Sequence, residues 1–93
     1  MDRKGTAVVT VIGRDSKGII AKVSNVLYEN DINILDLSQT VLADVFNMVM
    51  LVDVSAPGLD YSALSACLSE LGTQIGQQIR IQRSEIFDAM HRV

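Results

Sequence analysis

One cysteine, one histidine, one proline and no tryptophan stand among the 93 residues, and each scarcity removes a class of chemistry. Cys67 alone cannot build a disulfide framework or a thiolate zinc site, so a reducing, intracellular setting is expected and no metal is assigned. Its spacing from Leu64, Leu68 and Leu71 places it as a small residue on a buried helical stripe. His91 lies near the C-terminus, too far from any core site to pair with a serine or cysteine, so no catalytic residue is assigned and no enzyme is expected. The net charge is −3 and no basic cluster is present, which argues against a nucleic-acid partner. The longest wholly apolar run is Met48 to Val52, far below the roughly 20 residues of a membrane span. With no apolar leader after Met1, a cytoplasmic protein with no membrane partner is expected.

What the chain does contain is aliphatic. Hydrophobic residues make up 48% and charged residues 20%, a balance too apolar for disorder. The length allows one domain, 1–93, with a core of about 6–83 and a tail of 84–93. Val, Ile, Leu, Ala and Met exceed what one small core needs, because a domain this short leaves much of its surface exposed. A buried subunit interface, most simply a homodimer, is therefore expected.

The stretch Val11-Ile12-Gly13-Arg14-Asp15-Ser16-Lys17-Gly18-Ile19-Ile20 organises the rest. A strand rich in β-branched residues, 6–12, reads as central in a sheet, and it breaks into a polar loop before a helical stripe of Ile19, Ile20, Val23, Val26 and Leu27. That helix should stop near Asn30 and Asp31, which tolerate left-handed geometry. Strands follow over 33–42, with Leu35, Leu37 and Val41 on one face, and over 45–54, joined by a tight turn at Ala43 and Asp44. Pro57 and Gly58 break the chain, Asp60 caps a second helix, and Gly76 stops it. Gln78 to Gln82 alternates as an edge strand, and Ser84 begins a short helix over 85–91 whose Ile86, Phe87 and Met90 form an apolar patch.

This order predicts an α+β, ferredoxin-like βαββαβ sandwich: a four-stranded antiparallel sheet, two helices on one face, and a short C-terminal helix. The other face is left open, and pairing through a sheet edge or sheet face is the expected remedy. Two relatives of this architecture lack their essential atoms here, since there is no CxxC for a metal and no exposed strand aromatic for stacking RNA bases. Arg14 and Lys17 raise a phosphate-cleaving alternative, but the loop has no glycine-rich anion cradle. The remaining polar set is Asp15, Ser16, the N–H groups around Gly18 and Ile19, and Asn33, which should converge. Asp15 suits an α-ammonium and a helix N-terminus suits an α-carboxylate, so an amino acid is the expected ligand, with no cofactor. The plain alternative is that Asp15 and Asn33 only satisfy their own turns.

The D-x-x-G-I turn from Asp15 to Ile19, Asp31-Ile32-Asn33-Ile34 and the hairpin resemble the first half of an ACT domain, the small-molecule-sensing module of amino-acid metabolism. Thr10-Val11-Ile12-Gly13, Asp36-Leu37-Ser38-Gln39-Thr40 and the tail Ile86-Phe87-Asp88-Ala89-Met90 are most similar to the short stand-alone ACT-domain proteins of bacteria and archaea. The resemblance implies dimerisation and ligand sites near the subunit interface, built from the first loop and the start of the second strand. On it Gly18 is the family's loop glycine, and Asp15 and Asn33 are polar ligand-contacting positions. Some serine-binding members carry a histidine two residues before the Asp15 position, where this chain has Gly13. With no catalytic or DNA-binding domain alongside, the resemblance implies output through a partner protein. A structural or protein-interaction dimer without a small ligand is the alternative.

Overall fold

The computed structural model describes residues 5–84. Six elements follow in the order β1 (Thr6–Arg14), α1 (Ile19–Glu29), β2 (Asn33–Leu42), β3 (Val45–Asp53), α2 (Tyr61–Ile75) and β4 (Gln77–Arg83). The strands form one sheet in the order β2-β3-β1-β4, with every neighbouring pair antiparallel. This is the ferredoxin-like arrangement, with β1 central and β2 and β4 at the edges. The short helix expected over 85–91 lies outside the described residues.

Pleating decides the two faces. Ala7, Val9 and Val11 of β1 and Phe46, Met48, Met50 and Val52 of β3 are buried beneath the helices. Between them Thr10, Ile12, Val45 and Val49 point to the open side, where Ile12 and Val49 are nearly half exposed. Ile19, Val23 and Leu27 of α1 and Leu64 and Leu68 of α2 close the core from above. Burying each such side chain contributes roughly 1.5–3 kcal/mol, so this double layer outweighs any local preference.

Local signals set the element ends. Asp60 Oδ1 accepts from the Ala63 N–H at 3.0 Å, capping α2, and Gly76 ends that helix at φ 72°. Asp31, just beyond α1, takes φ 59°. The guanidinium of Arg83 lies 4.2 Å from the centre of the Tyr61 ring and joins the end of β4 to the start of α2. Burial there pushes the Tyr61 hydroxyl above its ordinary pKa.

Two expectations need correction. Cys67 is exposed, because the buried stripe of α2 runs through Leu64, Leu68 and Gly72 and leaves position 67 on the outer flank. Leu35 does not share a regular face with Leu37 and Val41. The β2 register skips it between Ile34 and Asp36, a bulge that sets Ile34 and Leu37 opposite the buried Val52 and Met50.

Candidate functional site

The first loop leaves β1 at Arg14 and enters α1 at Gly18, whose φ of 82° is left-handed. Among the described residues an added Cβ at Gly18 would meet only the Lys22 side chain at 3.8 Å, so the backbone angle is what calls for glycine. Among the described residues no side chain caps α1, and its first turn carries no acidic residue. Helical bonding begins with the Lys22 N–H donating to the Gly18 carbonyl at 3.0 Å. The N–H groups of the preceding turn and the positive end of the helix dipole therefore face outward, a setting that suits an anionic group.

Beside this helix start lies a cavity of about 340 Å³. Asp15, Ser16, Gly18 and Ile19 line it from the first loop and helix entrance, Ile20 and Ala21 from α1, Gln39, Thr40 and Val41 from β2, and Phe46 from β3. Small-molecule sites commonly span about 300–1,000 Å³ with an apolar lining and a few polar groups, and this one sits at the low end. Phe46, Val41 and Ile19 provide the apolar side, with Asp15, Ser16 and Gln39 the polar side. The loop and the β2–β3 turn are joined, because the Asp15 N–H donates to the Asp44 carbonyl at 2.8 Å.

Four of the five expected site residues, Asp15, Ser16, Gly18 and Ile19, thus share one cavity. Asn33 does not join them within one chain. It begins β2 opposite Asp53, which pairs with Thr6, whereas the loop follows Arg14 at the other end of β1. The ends of this nine-residue strand lie about 25 Å apart at the usual rise per residue. An antiparallel β2 must start where β3 ends, which carries Asn33 away from the loop. Its neighbour Asp53 accepts from the Ser55 hydroxyl at 2.5 Å and the Ser55 N–H at 2.8 Å, and these bonds lower its carboxyl pKa below the ordinary value. Sequence reasoning missed Gln39 and Phe46. Alternation along β3 sets Phe46 on the same face as Met48 and Met50, but only the placement of the loop shows that the cavity opens there.

Comparison with known proteins agrees with this architecture. Residues 5–82 match the ACT domain family. The chain belongs to the ACT domain family. A UPF0237 protein of Methanococcus maripaludis is 46% identical over 86 residues, covering 92% of this chain and 96% of that one. Among solved structures, an ACT domain protein from Streptococcus pneumoniae has a TM-score of 0.78 and 36% identity, covering 88% of this chain and 92% of that one. A putative glycine cleavage system transcriptional repressor shares the fold, with a TM-score of 0.75 and 24% identity, covering 84% of this chain and 44% of that one. ACT domains are generally regulatory ligand-binding modules.

Proposed function

We propose that this ACT domain senses a small amino acid in the cavity between the first loop and β2, and that it does so as a homodimer whose output passes to a partner protein. The observation that carries the reading is the coincidence of an uncapped helix start, a carboxylate and a cavity of amino-acid size within a few residues of one another. The α-carboxylate would face the N–H groups at Gly18 to Ala21. Asp15 would meet the α-ammonium, Ser16 and Gln39 would lie beside the polar atoms, and the side chain would rest on Val41 and Phe46. None of these groups supplies a nucleophile paired with a base, so the site suits binding without turnover.

The dimer accounts for Asn33. β2 is an edge strand of ten residues with no lysine, arginine or proline to discourage pairing, and it leaves Leu35, Leu37, Val41 and Leu42 exposed. Antiparallel pairing of two such edges about a two-fold axis brings the start of one β2 to the end of the other. Asn33 of the partner subunit would then stand at the end of the sheet that holds the first loop.

Isothermal titration of the protein against the twenty amino acids tests the reading. One or a few should bind, and Asp15→Ala should weaken that binding roughly tenfold to a hundredfold, the cost of about 1.5–3 kcal/mol for a charge-assisted hydrogen bond. Folding should be nearly unchanged. The exposed apolar side chains on the open face, Ile12, Val45 and Val49, favour a second reading, a protein-interaction dimer without a small ligand. That reading takes over if all twenty titrations are flat.

A further inference from the structure

We propose that Gln77 is the positioning residue of the first loop: its carboxamide crosses from β4 over Gly13 to hold the carbonyl of Arg14, and thereby sets where Asp15 stands at the rim of the cavity. Gln77 opens β4 immediately after Gly76, the left-handed residue that ends α2, and is only 6% exposed. The strand register places Gln77, Gly13, Phe46 and Val41 in one row across the helix-covered face. Gly13 has no side chain, and Gln77 fills the space that one would take. A Cβ at position 13 would stand 2.5 Å from Gln77 Oε1 and 2.8 Å from the Gly76 carbonyl oxygen.

Gln77 Nε2 donates to the Arg14 carbonyl at 2.6 Å. That bond sets the orientation of the amide, since the reverse orientation would press one oxygen against another. The other amide atom has no such partner among the described residues: Oε1 is buried there without a hydrogen bond. An unsatisfied buried acceptor is destabilising, and an unbranched apolar side chain of the same length would fill the same volume without one. Packing alone therefore does not account for a glutamine here, whereas the bond to Arg14 does.

The bond acts on a single peptide plane. The Arg14 carbonyl and the Asp15 N–H belong to the same peptide group, and the Asp15 N–H donates to Asp44 at 2.8 Å. This plane is thus clamped from both sides, by β4 through Gln77 and by the β2–β3 turn through Asp44. The base of the clamp is firm, because the backbone of Gln77 packs so tightly on α2 that a Cβ at Gly72 would lie 2.5 Å from its carbonyl oxygen. Releasing one side lets the plane rotate and carries the Asp15 carboxylate with it. The significance for a ligand rests on the proposed reading of the cavity, but the clamp itself does not.

Amide hydrogen exchange on the ligand-free protein tests it, so its failure is separable from failure to find a ligand. Gln77→Met keeps the volume over Gly13 and removes both amide atoms. The Asp15 N–H should then exchange about three- to tenfold faster, as expected for one lost hydrogen bond, while the Val9 N–H in the centre of the sheet keeps its rate. Gln77→Asn, whose amide is one methylene too short to reach Arg14, should act in the same way. An unchanged Asp15 rate in either variant, or equal acceleration at Asp15 and Val9, would overturn the proposal and leave Gln77 as ordinary packing.

Discussion

Ala43 and Asp44 turn the chain between β2 and β3 with φ of 50° and 66°, both left-handed and neither glycine. Positive angles at both central positions of a two-residue hairpin match the right-handed twist of the flanking strands, which is why such turns usually carry Asn-Gly or Asp-Gly. A Cβ in this region costs roughly 1–2 kcal/mol, and glycine regains part of that against its larger loss of chain entropy. Ala43→Gly should therefore stabilise the protein by up to about 1 kcal/mol, seen as a higher midpoint in thermal or urea unfolding. At Gly18 the same reasoning has the opposite sign. Its φ of 82° leaves a β-branched residue strained although the described residues leave the space beside it open, so Gly18→Val should cost about 1–2 kcal/mol in the same measurement. An unchanged midpoint in that variant would mean that the loop re-forms without a left-handed residue.

At the scale of elements, the strands and helices were legible because their periodicities were strong. Strict alternation from Val45 set Phe46, Met48, Met50 and Val52 on one face together, and the fold shows that this face is the buried one. Asp60 and Gly76 announced the ends of α2 through cap chemistry that acts within a few residues. What the sequence hid depended on neighbours in space. Cys67 fits a helical stripe in spacing, but the side of α2 that meets the sheet runs through Leu64, Leu68 and Gly72, so the two leucines of that stripe are buried and Cys67 is not. The bulge at Leu35 gives no local signal, since it arises from matching Ile34 and Leu37 to Val52 and Met50 on β3. The edge role of β2 follows from topology in the same way, and it carries a prediction. Because the pairing proposed through this edge needs its apolar residues, sedimentation should give a dimer at micromolar concentration, and Leu37→Lys with Val41→Lys should shift it to monomer. A wild-type monomer would refute the pairing.

For the molecule as a whole, the fold places its polar loop, its helix entrance and one end of its long edge strand around a single cavity. The loop and the helix start could be read from the sequence because they are adjacent in it, and Asp15, Ser16, Gly18 and Ile19 do share that cavity. Gln39 and Phe46 could not, since only the sheet order brings β2 and β3 beneath α1. Asn33 shows the same limit in reverse: a residue expected to converge with the loop lies at the far end of the sheet within one chain. The most direct measurement is an NMR titration of ¹⁵N-labelled protein with each amino acid in turn. If an amino acid is sensed in this cavity, one of them moves the amide signals of Gly18 to Ala21 and of Gln39 to Val41 and leaves those of Ile79 to Arg83 in place. Shifts confined to the open sheet face around Thr10, Ile12 and Val49, or no shifts with any of the twenty, would contradict it.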